Sequence, residues 1–401
     1  MHIVYLTSEF VTEKRSGGLG TYLCNISQIM RDYGHKVTII TLSEQNGRIS
    51  FRDNIEVVRV KERKCYSGKN SMEDNLSRLI NSWNMNRCLK KEAKRQKIDI
   101  VQAANYQAVG FFRNRRIPTI VRVSSDSGLW RNAAKCIFDI NIALKEKNVE
   151  DCLELGAMKR ADKVFAPSKF CAEIVGKRAG RKIQVIESPY RMKDMILDDS
   201  IYQEKLKDKK YLLINSSLSY LKGTHIVIAA AEELLRKYPD LHLVYAGADY
   251  GLSMKNGSGQ SISEILRRQN KKYEGRVMYL GKLKQESLFP VVQQAMACVL
   301  PSRVDNLPNA CIEAMAMGKI VIGTYGASFE QLIKNRENGL LIKRDSTKSF
   351  IKAVDYLMKL SEQERICMGK KAEKTVERLG PEKVYSQMIH LYNETIKAFV
   401  K

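Results

Sequence analysis

No stretch of this 401-residue chain approaches the roughly eighteen uninterrupted apolar residues that cross a bilayer, so no membrane-spanning helix is expected. The apolar pattern begins at Ile3. That leaves no room for a secretory signal, and a cytoplasmic location is expected. Nine cysteines, at 24, 65, 88, 136, 152, 171, 298, 311 and 367, form an odd, scattered set with no CxxC pair, the pattern of reduced thiols rather than a disulfide framework. There is no Asp-x-Asp and no cluster with metal-ligand spacing. Helix-turn-helix, zinc-knuckle and RNP-like patterns are missing too, so no nucleic-acid partner is expected. The five histidines, His2, His35, His225, His242 and His390, fall outside every motif and read as core or surface residues.

Acid is also scarce: 44 Asp and Glu stand against 68 Lys and Arg, a formal net charge of +24. Residues 59–97 hold twelve basic and four acidic residues, a local balance of +8 that includes Arg87, Lys90, Lys91, Lys94, Arg95 and Lys97. Two readings stay open. An anionic membrane surface attracts such a segment, with Trp83, Met85 and Leu89 available for shallow insertion; an ordinary solvated basic face is the other.

The chain is long enough for two or three domains, and its 44% hydrophobic residues suffice for real cores. Residues 3–6 form an apolar run, 15–20 a Gly-rich polar loop, 21–33 a helical stretch and 37–42 a second run after a turn at Gly34. Together they predict a βαβ unit. A new alternation begins near residue 211, with strands over 211–215, 242–246, 276–280, 298–300, 320–323 and 339–342. Helices are expected between them over 224–237, 261–272 and 286–295, and from 347 onward. Alternation of this kind predicts parallel sheets covered on both faces.

The strongest chemical signal lies in residues 301–319, PSRVDNLPNACIEAMAMGK. Seven residues separate Asp305 from Glu313. Pro308 suits a first helical turn and Gly318 the position just past a helix end, so a short helix is expected over 309–317. Its N-terminus seats a phosphate, and the two carboxylates accept hydroxyl hydrogens. A sugar on a nucleotide diphosphate offers both groups. Alone, the spacing also fits a capped amphipathic helix with a solvated Glu.

The segment resembles the acid-x7-Glu signature of retaining glycosyltransferases of family 4, and other pieces follow in that family's order. These are Gly17-Gly18 in the first loop, residues 161–168 as the last strand of the first domain, residues 185–190 as the linker, and the loop Asn215-Ser216-Ser217-Leu218-Ser219-Tyr220-Leu221-Lys222-Gly223. The resemblance implies an α/β fold of the GT-B type, in which two Rossmann-like doubly wound domains face a central cleft. It places the first domain at residues 1–192, the second at 193–382, and a final helix crossing back at 383–401. It further implies a hexosyltransferase acting with retention, without a metal or other cofactor, on a nucleotide-sugar donor and a saccharide or lipid-linked saccharide acceptor of a surface polymer.

By that resemblance Asp305, Lys222 and Glu313 are catalytic. Arg15, Gly17, Gly18, Ser217, Lys222, Lys282, Leu283, Asn306, Leu307, Asn309 and Glu313 hold the donor, and Ser124 and Asp126 lie on the acceptor side. For Gly17 and Gly18 a tight strand-to-helix turn is the competing reading. Three positions depart from the family pattern: Asp305 stands for the usual Glu, Ser217 for a phosphate-binding Arg, and Ser124 for a His. Arg303, Arg191 and Arg15 are candidates for the missing cation. The departures keep a second reading open, a catalytically weakened binding subunit of a transferase complex. A third is an α-glucan synthase, suggested by Arg15-Ser16-Gly17-Gly18-Leu19.

Overall fold

The computed structural model describes residues 1–14, 16–52, 54–63, 72–135, 137–191, 195–252 and 261–400. The chain divides into two units, one made of Met1–Asn132, Asp139–Arg191 and Leu379–Lys401, the other of Ala133–Phe138 and Met192–Arg378.

In the first unit, β1 (His2–Thr7), β2 (Lys36–Ser43), β3 (Gly47–Phe51), β4 (Ile55–Lys61), β5 (Ile100–Ala104), β6 (Thr119–Arg122), β7 (Lys163–Ala166) and β8 (Gln184–Val185) form one sheet in the order β3-β4-β2-β1-β5-β6-β7-β8. Every pairing is parallel except the β3–β4 hairpin, which the sequence reading did not foresee. All six residues of β1 are buried because both faces of a parallel sheet are covered. Alternation along the strand sorts them. Ile3 and Tyr5 pack with the helix Gly18–Asp32 and the final helix Pro381–Val400, while Val4 and Leu6 pack with the helix Met72–Arg95 on the other face.

That packing corrects one expectation. Met85 and Leu89, read as residues for lipid insertion, are 0% and 1% exposed and belong to the core, because they lie on the helix stripe that faces the sheet. Trp83 points elsewhere and is 49% exposed. The residue 161–168 segment contains β7, but it is not the last strand; the two-residue β8 follows the helix Lys169–Ala179.

In the second unit, β9 (Lys210–Ile214), β10 (Leu241–Tyr245), β11 (Val277–Tyr279), β12 (Ala297–Leu300), β13 (Val321–Thr324) and β14 (Leu340–Ile342) make an all-parallel sheet in the order β11-β10-β9-β12-β13-β14. Helices Thr224–Lys237 and Thr347–Lys359 pack Ile226, Ala230, Leu234, Phe350 and Val354 against Leu212, Leu243 and Val299 of the sheet. Both units are Rossmann-like α/β layers, as the alternation predicted. Among the described residues no helix is long and apolar enough to cross a membrane.

Candidate functional site

The loop 215–223 leaves the carboxyl end of β9 and turns directly into the helix Thr224–Lys237. Gly223 makes the turn at φ +69, and a Cβ there would sit 1.9 Å from the carbonyl oxygen of Pro301. Only glycine fits. Hydrogen bonds then fix the loop: the Ser219 N–H donates to Thr224 Oγ1 (3.1 Å), the Lys222 N–H to Ser219 Oγ (3.2 Å), and the Arg303 N–H to the Leu221 carbonyl (2.9 Å). The last bond ties the loop to the segment that leaves β12. As a result Lys222 Nζ lies 2.6 Å from Asp305 Oδ2, although the residues are far apart in sequence. Asp305 is 9% exposed, and its other oxygen accepts the Asn306 N–H at 3.0 Å.

Asp305 leads into the helix Asn309–Ala316, with Pro308 as its N-cap and Gly318 at φ +67 beyond its end. Glu313 lies one turn inside. Its Oε1 accepts a hydrogen bond from Gln285 Nε2 at 3.1 Å, and Gln285 opens the helix that follows Lys282 and Leu283. The loop carrying those two residues turns at Gly281, φ +75, whose carbonyl accepts the Gly247 N–H at 2.8 Å. Lys282 is exposed and Leu283 half-buried. Asn306 and Asn309 are half-buried beside the helix start, whereas Leu307 is buried, so its side chain serves the core and only its backbone is available. Ser217 is half-buried and brings no charge to the loop.

Two of the proposed replacement cations are already committed. Arg303 is completely buried, and its Nε and Nη2 lie 2.7–2.9 Å from the Asp345 carboxylate. Its Nη1 donates to the carbonyls of Ala133 and Lys135, and its guanidinium carbon lies 4.5 Å from the Tyr220 ring centre. His225 stacks on Tyr220 and places Nε2 3.5 Å from Asp345 Oδ1. Burial alone raises the pKa of Asp345, but hydrogen bonds with His225 and Arg303 outweigh it and hold the carboxyl below its ordinary value. Sequence reasoning named Arg303 but missed the cluster, because its partners Asp345 and His225 are distant in sequence and stand at no motif position. Arg191 pairs with Asp32 in the first unit at 2.5 Å. Arg15 lies outside the described residues.

The first unit treats its predicted residues differently. Glu9 Oε1 accepts the N–H groups of Gly17 (3.1 Å) and Gly20 (3.2 Å), and the helix begins at Gly18 rather than after the loop. A carboxylate thus holds the Gly17 N–H, which the sequence reading assigned to the donor. The Ser124 N–H donates to Asn105 Oδ1 at 2.6 Å. Asp126 caps the helix Ser127–Ala133 through the Leu129 N–H (2.7 Å) and pairs with Arg178 at 3.2 Å, which accounts for this carboxylate structurally. Beside it Glu154 is buried under the Gln107 N–H and the Ser127 hydroxyl, and burial raises its pKa well above the usual range. Asn105, Asp126, Glu154 and Arg178 line a cavity of about 420 Å³. Among the described residues no three His, Cys, Asp or Glu side chains converge as a metal site would require.

Residues 198–375 match the family model described as Glycosyl transferases group 1, and residues 16–190 match Glycosyltransferase Family 4. The chain is 25% identical over 177 residues to the D-inositol 3-phosphate glycosyltransferase of Corynebacterium urealyticum, covering 44% of this chain and 41% of that protein. It is 28% identical over 185 residues to an uncharacterized glycosyltransferase of Haemophilus influenzae, covering 46% and 48%. These matches span less than half the length of either relative. Among solved structures it resembles sucrose-phosphate synthase from Thermosynechococcus elongatus, with a TM-score of 0.77 and 18% identity over 99% of this chain and 100% of that one. It also resembles Anabaena HepE in complex with UDP, with a TM-score of 0.70 and 16% identity over 98% and 100%. At these identities the likeness is one of fold.

Proposed function

Because the chain belongs to the group 1 and family 4 glycosyltransferases, we propose that it transfers a hexose, with retention, from a nucleotide sugar to a saccharide or lipid-linked saccharide of a surface polymer. The observation that carries this reading is the pairing of Lys222 with Asp305, in the loop that leads into the helix bearing Glu313. In the proposed reaction the donor diphosphate exchanges with Asp305 for the Lys222 ammonium. Lys222 then stabilises phosphate charge as the bond to the anomeric carbon breaks, a preorganised electrostatic effect that needs no protein nucleophile. Asp305, released, accepts hydroxyl hydrogens of the sugar. Glu313, oriented by Gln285, accepts those of the nucleotide ribose. The acceptor oxygen attacks from the face that the diphosphate leaves, and the phosphate oxygen takes its proton.

Slow hydrolysis of the donor without acceptor tests the chemistry. With UDP-, GDP- and ADP-sugars supplied in turn, one is expected to release free nucleotide and a sugar of unchanged anomeric configuration, read by NMR at early times. An inverted product defeats the mechanism. The commitment of Arg303 to Asp345, with Ser217 in the usual Arg position, favours a second reading, a binding subunit with weakened catalysis. Absence of turnover with every donor, together with tight binding to another protein, selects that reading.

A lipid-linked acceptor accords with the basic helix of the first unit. Arg87, Lys90, Lys91, Lys94 and Arg95 are exposed on it, and Trp83 stands edge-to-face with Phe112 at 5.5 Å, beside Arg113, Arg115 and Arg160 around a surface cavity of about 730 Å³. Sedimentation with phosphatidylglycerol vesicles is expected at low salt, weakening as ionic strength rises because exposed charges are screened beyond about 8 Å at physiological salt. Changing Lys90, Lys91, Lys94 and Arg95 to Gln is expected to reduce it, at about 1 kcal/mol per charge. Indifference of the wild type to anionic vesicles leaves a solvated basic face.

A further inference from the structure

Two arginines are buried among the described residues, Arg303 and Arg122. Arg303 has the Asp345 carboxylate. Arg122, the last residue of β6 and 6% exposed, has no such partner among the described residues. Its guanidinium carbon lies 3.7 Å from the centre of the Tyr22 ring, Nη2 donates to Ser188 Oγ at 3.0 Å, and Nη1 donates to Ser124 Oγ at 3.3 Å. Among the described residues no carboxylate is paired with it, and its electrostatic neighbours are Tyr22 and Cys171.

That environment does not balance the charge. Taking an ion out of water costs several kcal/mol even after relaxation. An aromatic face returns about 2 kcal/mol when desolvated, and hydrogen bonds from the charged guanidinium to the two hydroxyls return about 1.5–3 kcal/mol each, so the ion is solvated in place but its charge is not neutralised. Burial accordingly pushes the guanidinium pKa down, yet arginine stays protonated. An anion is the partner that would neutralise it. The position suits one: β5, β6 and β7 run parallel, and ligands of doubly wound sheets bind outside the carboxyl ends of the strands. Ser124, just beyond that end, is partly exposed, while Ser188 is buried.

We propose that Arg122 is an anion-recognising residue of the first unit that takes a phosphate or carboxylate carried by the acceptor. The Ser124 and Ser188 hydroxyls, which accept from the guanidinium in this state, rotate to donate to the incoming oxygens. Naming the anion's bearer as the acceptor rests on the glycosyl-transfer reading; the anion site itself does not. The competing source of the same chemistry is the donor diphosphate.

Inorganic phosphate serves as the probe, with melting temperature read against sodium chloride of equal ionic strength. Wild type and Lys222→Ala are both expected to rise by a few degrees, and saturating UDP is expected to leave that rise in place. Arg122→Met is expected to melt no lower than wild type without phosphate, since a lone buried charge has been removed, and to lose the response. Arg122→Lys, which keeps a charge and guards against a misfolded Met variant, is expected to retain a weaker one. A full phosphate response in Arg122→Met overturns the proposal. A response abolished by UDP or by Lys222→Ala overturns the acceptor assignment and gives the anion to the donor. Failure of every donor to turn over leaves the phosphate response untouched, so the two readings fall separately.

Discussion

Lys222→Ala is expected to lower turnover by about 10²–10³, the usual cost of removing one preorganised donor from developing charge, and Glu313→Ala is expected to abolish most transfer as well. The two differ in stability. Glu313 is half-buried and takes the hydrogen bond from Gln285 at the edge of its helix rather than in the core, so its alanine variant should melt close to wild type. Lys222→Ala strands Asp305, whose side chain is only 12% exposed, without its cation. Breaking a buried pair costs about 3–5 kcal/mol; with both groups partly solvated, the smaller end applies. The double variant Lys222→Ala/Asp305→Ala is expected to recover stability but not activity. Wild-type transfer by both single variants, measured with the donor identified by hydrolysis, removes these residues from the reaction.

The architecture was legible because the second unit repeats a simple code. Apolar runs of four or five residues alternate with 3.6-period stretches, and the helix expected over 224–237 is Thr224–Lys237. Strand ends shifted by a residue or so where polar residues such as Lys210 pair in the ladder. The first unit was harder to read. Its longer helix Met72–Arg95 has a weak apolar stripe broken by Asn and Ser, so nothing in the sequence separated the buried Met85 from the exposed Trp83. At the candidate site, Lys222, Asp305 and Glu313 were recoverable because local motifs carry them. Relations between distant carboxylates and cations were not. Glu9 over the glycine loop, Asp345 on Arg303 and the absence of any such partner for Arg122 among the described residues are all tertiary facts, and pairwise electrostatics leaves no spacing in the chain.

Gly223→Ala should be among the most damaging single changes in the second unit, and two other glycines show why. At Gly223 a side chain meets both obstacles, a left-handed backbone at φ +69 and the Pro301 carbonyl 1.9 Å from the new Cβ. Gly281 has only the first obstacle, at φ +75 with nothing within 4 Å, and Gly247 only the second, its Cβ 1.8 Å from the Ser216 carbonyl. The backbone penalty is about 1–2 kcal/mol and overpacking adds about 1–3 kcal/mol. Gly281→Ala is therefore expected to lower the melting temperature least. Gly223→Ala should fall by roughly 10 °C, at about 2–4 °C per kcal/mol for a domain of this size. Activity should follow a different order from stability. Relief of the clash at residue 223 has to move the loop away from Pro301, which pulls on the Leu221 carbonyl bonded to the Arg303 N–H and carries Lys222 off Asp305. Gly223→Ala should accordingly lose donor hydrolysis even at temperatures where it remains folded by circular dichroism. A folded Gly223→Ala protein with wild-type hydrolysis would mean that the loop tolerates displacement and that Lys222 need not be held where it is.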